Sequence, residues 1–436
     1  MQNTVIETIE DYTNPQVLTR REKTKLIVAA GIGNFLEIFD FTVYSFFAAI
    51  IGDVFFHSNT PGMSLLISVS VFGVGFVMRP LGSIIIGSYA DRHGRKAAML
   101  LTILLMAIGS ALIGFVPSYE TIGIFAPVLI VIGRLFQGFS AGGEIGTSTT
   151  LLMESAARNQ RGFFVSWQFV GQGLSALCGS LFAAELTEWL TREQLYSWGW
   201  RIPFIFSLIV IPVGLYIRAH IHDTYEVETK VEGVAGSHPF RDLMANYFWK
   251  VVLCIAMILP GTAIMYVMVF YMPNYLKQVT DMSGPEAFRI SSYASIILIV
   301  LSIASGFLCD RFEKRRWMAM SFMVIEFFAC YLCFRYAANF YLFITVYTVA
   351  MVVYGLLMSM AMVMIMEAFE QHIRATASSV VYAFGVTIFG GTAQIIVTQL
   401  LRISDGHIMA PFWYLGTALV VGIIANFLFV ETRHLI

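Results

Sequence analysis

Apolar runs bounded by charged or turn residues divide the chain into segments near residues 26–51, 63–90, 97–116, 121–152, 162–185, 200–219, 249–276, 286–309, 317–336, 340–368, 375–401 and 411–431. A helix of about 20 residues crosses the hydrocarbon core of a bilayer, so each segment predicts one span. Two polar stretches are longer than the breaks between spans: residues 1–25, and residues 220–248, which carry Gly233, Gly236 and Pro239. The pattern predicts an all-α membrane protein of twelve transmembrane helices. It reads as an N-terminal segment (1–25), a six-helix bundle (26–219), a linker (220–248) and a second six-helix bundle (249–431). The first apolar run begins too late and continues too far for a cleaved signal, and is read as an uncleaved span.

The two bundles share landmarks. Gly87-Ser-Tyr-Ala-Asp91-Arg92 closes the second span, and Gly306-Phe-Leu-Cys-Asp310-Arg311 closes the eighth, 219 residues further on. Glu154 and Arg161 follow the fourth span; Glu367 and Arg374, with the same spacing of seven, follow the tenth at an offset of 213. Two landmarks in the same order point to a pseudo-repeated six-span unit, a common plan among transporters.

Composition removes the soluble alternative: 58% of the residues are hydrophobic and 13% charged, against about 45–50% and 25% in soluble domains. A net charge of −1 gives no basic surface for nucleic acid and no acidic tail. The five cysteines lie mostly in apolar runs, where they read as small buried hydrophobes. Cys330-x-x-Cys333 has no partner histidine, so no metal, redox role or disulfide framework is expected. No HExxH, GxSxG or Gly-rich nucleotide loop is present, so neither an enzyme nor a cofactor is expected. Of the 27 Lys and Arg residues, 19 fall on the side of the N-terminus. The positive-inside rule then puts both termini in the cytoplasm.

The segment Gly87-x-x-x-Asp91-Arg92-x-Gly94-Arg95-Lys96 resembles the cytoplasmic loop signature of the major facilitator superfamily, which implies the twelve-helix MFS fold. Gly87 permits close helix approach, Asp91 can pair with a basic group, and Gly94 allows the turn. The resemblance implies a latch between the halves, to which the repeat adds Asp310, Arg311, Glu154, Arg161, Glu367 and Arg374. Gly33-Asn-Phe-Leu-Glu37-Ile-Phe-Asp40-Phe, Met78-Arg79-Pro80, Gly133-Arg134-Leu-Phe-Gln137-Gly-Phe-Ser-Ala-Gly-Gly-Glu144 and Ser197-Trp-Gly-Trp-Arg201-Ile-Pro-Phe together look like the metabolite:proton symporter family. That family includes carriers for citrate and tricarballylate, α-ketoglutarate, shikimate and proline/betaine. Ser118-Tyr-Glu-Thr-Ile-Gly and Gly162-Phe-Phe-Val-Ser-Trp-Gln168 look most like the citrate/tricarballylate type.

Ionisable groups in mid-bilayer cost roughly 2.5–3.5 kcal/mol each and need a partner or a wet cavity. Glu37, Asp40 and Tyr44 share one face of the first span, with the carboxylates about 16 and 21 Å into the membrane. They read either as proton carriers or, with Arg79 of the second span, as a structural ion pair. Arg79 itself could instead hold the carboxylate of a bound acid. Arg134, Gln137 and Glu144 form a polar stripe on the fourth span. The resemblance links a basic residue at this place to proton transfer, whereas helix–helix glue is the plainer reading. Arg134's second-half counterpart is Tyr347, so the halves differ chemically. Gln168, Gln172, Tyr266, Tyr271 and Gln394 are further candidates for substrate contact, each also readable as packing. Glu326 on the ninth span has no assigned role; Arg335 or a neighbouring helix would be its partner.

The expectation is a monomeric secondary transporter in a bacterial-type inner membrane that imports a small organic acid, citrate-like, together with protons. Shikimate or proline/betaine is the alternative cargo. A long C-terminal coiled coil, which marks osmosensing relatives, is not expected after Glu431.

Overall fold

The computed structural model describes residues 20–56, 58, 60, 62–93, 95–142, 145–208, 212, 239–280 and 282–430. The first bundle comprises α1 (Arg20–Phe46), α2 (Ala48–Phe55), α3 (Met63–His93), α4 (Arg95–Phe115), α5 (Phe125–Gly142), α6 (Ile145–Glu154), α7 (Arg161–Trp189) and α8 (residues 202–208). The second comprises α9 (Phe248–Ile264), α10 (Met272–Val279), α11 (Gly284–Arg311), α12 (Arg315–Arg335), α13 (Phe340–Glu367), α14 (Gln371–Gly385), α15 (Gly391–Ile403) and α16 (Ala410–Leu428). No strand occurs among the described residues. Nine described helices are long and apolar enough to cross a membrane, and the bent pair α1–α2 makes a tenth. The apolar part of α4, Leu101–Phe115, is shorter, and of the sixth expected span only residues 202–208 and 212 are described, as helix. The described helices fit the twelve-helix reading. Of the expected linker, the described part is the short helix Pro239–Asn246 and the turn into α9.

Small residues set how the helices pack. In hydrocarbon the driving force is close contact, and glycine allows backbones to touch. A Cβ on Gly138 of α5 would collide with the backbone of Gly75 in α3, and one on Gly142 with the backbone of Arg79. Gly109 of α4 and Gly133 of α5 meet in the same way. These contacts lock α3, α4 and α5 together and bring Arg79, Ser110 and Arg134 to one depth. Across the halves, α7 runs along α11 and α3 along α15. Gly162 and Gly306 form the first seam's closest approach, and Gly73 with Gly391 that of the second.

Three spans are interrupted near the far end of the cavity. α1 and α2 are bent by 64° about Phe47. A π-helical turn, Met265–Tyr271, joins α9 to α10, and another, Val386–Gly390, joins α14 to α15. Pro273 lacks an N–H, so the carbonyls before it lose their helical donor. Ser291 Oγ donates to Val269 O at 2.7 Å and Tyr347 Oη to Met268 O at 2.6 Å. The wide turn is thus held by side chains from α11 and α13, and Tyr347, the counterpart of Arg134, serves backbone rather than charge.

Candidate functional site

Spacing of three and four on α1 aligns Glu37, Asp40 and Tyr44, and all three are buried. Asp40 accepts a hydrogen bond from Ser110 Oγ of α4. Ser110 accepts from Gln137 Nε2 of α5 at 3.0 Å, and Gln137 Oε1 accepts from Arg134 Nη1 at 2.7 Å. Carboxylate and guanidinium therefore communicate through a hydroxyl and an amide. This chain is sensitive to protonation, because a carboxylate only accepts whereas a carboxylic acid also donates. Protonating Asp40 lets it donate to Ser110, which reverses the direction of the first link.

Phe41, the residue after Asp40, carries both guanidinium groups. Arg134 lies 4.3 Å and Arg79 4.5 Å from its ring centroid. Arg134 also stacks on Tyr44 at 4.6 Å, and Arg79 on Phe76 at 4.6 Å. The electron-rich ring faces attract the cations where water cannot. Arg79 Nη2 is 4.0 Å from Glu37 Oε1, long for a charge-assisted hydrogen bond. Nε and Nη2 of both arginines have no hydrogen-bond partner among the described residues. Buried donors left unused cost about 1–3 kcal/mol each, so an anion that reached them would be bound strongly.

Beside this cluster lies a cavity of about 90 Å³, roomy enough for water. Ile38, Phe169 and Gln172 line it from the first half, Tyr266, Tyr354 and Tyr382 from the second. Gln172 Nε2 donates to Tyr382 Oη at 3.2 Å. Tyr266 packs edge-on against Phe76 at 5.5 Å, and Tyr266 and Tyr382 both feel the charges of Arg79 and Glu37. Among the cavity's described lining residues none comes from α5 or α6, and α12 contributes Met323.

Contacts between the two halves flank the cavity on both sides. On the side of the linker helix, the Asp310 carboxylate accepts from the backbone N–H groups of Gly162 at 2.7 Å and Phe163 at 2.9 Å. It caps the start of α7, where helix N–H groups lack partners and the dipole favours negative charge. Arg161 meets Glu367 at 3.2 Å and Arg374 meets Glu154 at 3.2 Å, each pair spanning the two halves. Arg315 adds a 2.7 Å bridge to Glu367. On the far side, Gln394 Nε2 donates to Ser45 Oγ at 2.6 Å and Asn274 Nδ2 to Ser45 O at 3.2 Å.

The expected residues therefore fall into separate groups. Asp40, Arg134 and Gln137 form one network, with Glu37 and Arg79 beside it, whereas Gln172 and Tyr266 face the cavity. Gln168 is buried on α7, its carbonyl accepting from Asn34 Nδ2 at 2.6 Å. Tyr271, which accepts from Thr398 Oγ1 at 2.7 Å, and Gln394 belong to the far-side closure. Arg311 is exposed at the end of α11, away from the Glu367 bridges. Glu144 and Gly94 lie outside the described residues; at Gly87, Asp91, Arg92 and Arg95 only the helical backbone is described.

The sequence profile described as Major Facilitator Superfamily matches residues 30–393 and 290–435. The chain belongs to this superfamily. It is 32% identical to the citrate-proton symporter of Klebsiella pneumoniae over 403 residues, 92% of this chain and 90% of the relative. It is also 32% identical to the alpha-ketoglutarate permease of Escherichia coli (strain K12), covering 93% of each. A Staphylococcus aureus (strain COL) protein named for proline/betaine transport is 29% identical over 96% of this chain and 91% of its own length. Among solved structures, that of a D-xylose-proton symporter superposes with a TM-score of 0.73 at 17% identity, covering 94% of this chain and 98% of the other. At that identity the likeness is one of fold. The superfamily resemblance read from the loop signature is confirmed, as is the likeness to citrate-type symporters.

Within the superfamily fold, several working residues carried little sequence signal. Ser110 is one serine in an apolar run, yet it links Asp40 to Gln137. Tyr354 and Tyr382, which line the cavity, and Ser45 and Asn274, which meet on the far side, stand in no motif. Arg315 read as an orientation charge and proves to bridge Glu367.

Proposed function

We infer that this superfamily member imports a small organic acid, citrate-like, by proton symport with alternating access, as a monomer in a bacterial-type inner membrane. The Lys/Arg asymmetry supports placing both termini, and so the Asp310 and Glu367 contacts, in the cytoplasm. The observation that carries the reading is one buried cluster that holds both a wired carboxylate, Asp40, and a guanidinium with unused donors, Arg79. Asp40 is the proton site in this reading, with Glu37 beside it and Arg134 as the cation that answers a change in its charge. Arg79 offers the planar fork that matches a substrate carboxylate. Gln172 and Tyr266 contribute donors from the cavity wall. Citrate-proton symporters and an alpha-ketoglutarate permease among the relatives support the same cargo class.

Proton coupling also fits the electrostatics. Moving one negative charge inward against 100 mV costs about 2.3 kcal/mol, which a co-transported proton cancels. The superfamily cycle then alternates the two closures. The halves rock about the cavity between them.

The test is uptake into proteoliposomes of radiolabelled citrate, α-ketoglutarate, shikimate and betaine under an inward proton gradient. A carboxylate should accumulate above equilibrium and an uncoupler should abolish this. Accumulation that survives the uncoupler, or that is confined to betaine, overturns the reading. A proline/betaine cargo is the second reading, favoured by the aromatic wall of Tyr266, Tyr354 and Tyr382 and by the relatives named for that substrate.

A further inference from the structure

Glu326 lies in the middle of α12, in a span of mean hydropathy 1.8, and its side chain is completely buried. Cys330 Sγ, one turn on, donates to Glu326 Oε1 at 3.4 Å, and Glu326 Oε2 has no hydrogen-bond partner among the described residues. Arg335 is exposed at the helix end and is not its partner. The groups around it are uncharged. On its own helix these are Cys330 and Cys333. α13 brings Tyr354 within its field and Tyr347 close to Cys333, and Tyr275 of α10 also approaches Cys333. From α16 the polar neighbour is Asn426, whose Nδ2 lies 3.7 Å from Met323 Sδ. No basic side chain forms an ion pair with Glu326 among the described residues.

An ionised carboxylate without a cation in such a place is far more costly than a neutral acid. The position is also not idle. Met323, on the same face one turn away, lines the central cavity, as does Tyr354. Tyr354 donates to Gly261 O at 2.8 Å, and Tyr266 and Tyr382 line the same cavity. The cavity therefore stands between two sets of carboxyl groups: Glu37 and Asp40 in the first half, Glu326 in the second, with phenols in between.

We propose that Glu326 is a second proton-binding site, in the C-terminal half, which loads and releases a proton through the cavity wall at Met323 and Tyr354 during each cycle. The role rests on the symport reading above and extends it: a multiply charged acid needs more than one compensating proton, and Asp40 supplies one. Cys330 is the partner that holds the carboxyl's orientation. The alternative is a permanently neutral acid that only fastens α12 to its neighbours.

Three measurements on the full-length protein separate these cases. In reconstituted wild type, infrared spectroscopy at neutral pH should show the C=O stretch of a buried carboxylic acid, and Glu326→Gln should remove it. Wild-type protein treated with a hydrophobic carbodiimide, which attacks protonated carboxyls, should carry the adduct on Glu326 by peptide mass spectrometry, without need of a variant. Glu326→Gln should still transport, but with one proton fewer per substrate in the pH-gradient dependence of uptake. An unlabelled Glu326 and an unchanged infrared band overturn the proposal. A labelled Glu326 with an unchanged proton ratio also overturns it, leaving the fastening role. If wild-type uptake moves no protons while Glu326 is labelled, the symport reading fails and the coupling role with it.

Discussion

Asp40 matters through what it is wired to. Its carboxylate, the Ser110 hydroxyl, the Gln137 amide and the Arg134 guanidinium form one line of hydrogen bonds from three helices. Asn keeps the shape at position 40 but carries no exchangeable acid proton. Asp40→Asn should therefore abolish accumulation of substrate while leaving counterflow exchange measurable; normal accumulation would show that Asp40 is not the proton site. Arg79 makes a different prediction. A lysine there loses the planar fork and the stacking on Phe41 and Phe76. A charge-assisted hydrogen bond contributes about 1.5 kcal/mol or more, so KM for the carboxylate should rise about ten-fold in Arg79→Lys. An unchanged KM would assign Arg79 to the Glu37 ion pair alone.

Helices are placed by their smallest residues. At Gly162 and Gly306 the backbones of α7 and α11 touch, and a Cβ on either would meet the carbonyl oxygen of the other. Overpacking of a tight contact costs about 1–3 kcal/mol. Gly306→Leu should pry this seam apart next to Asp310 and the Glu367 bridges, favouring conformations open on that side. Cysteines in place of Glu154 and Arg374, which face each other across the halves, report the change. Their disulfide yield should fall at least several-fold in the Gly306→Leu background, and an equal yield would mean that the seam is not the closing contact. The interruptions at Phe47, Met265–Tyr271 and Val386–Gly390 belong to the same scale. Their freed backbone groups are tied by side chains from other helices, so each can be released without leaving the membrane with bare polar groups.

At the scale of the whole molecule, the repeat explains the pairing of the bridges between the halves. Glu154 pairs with Arg374, and Glu367, the counterpart of Glu154, pairs with Arg161, the counterpart of Arg374. Exchanging the halves maps one bridge onto the other, as an isologous interface requires. Glu367→Gln removes the bridge to Arg161 that spans the halves, worth up to about 1 kcal/mol, while the bridge to Arg315 that it also loses lies within one half. Spin labels across that side should then show the open population rising up to about five-fold, and Glu154→Arg with Arg374→Glu should restore the closure that either change alone weakens. Much of this architecture was legible in the chain. Span number, duplication and superfamily follow from local properties, because a segment of about 20 residues carries its own cost of insertion and a repeat is a property of order. The buried charges were legible as exceptions for the same reason, Glu326 among them. Their partners were not. Asp40 and Ser110 are 70 residues apart, Glu154 and Arg374 220, and such pairings exist only once glycine contacts have set the depth and rotation of each helix. Sequence alone thus determined the solvent, the count of spans and the residues that must be satisfied. Tertiary structure decided which group satisfies which, because in a bilayer the fit of one helix against another, and not the hydrophobicity of either, selects the partner.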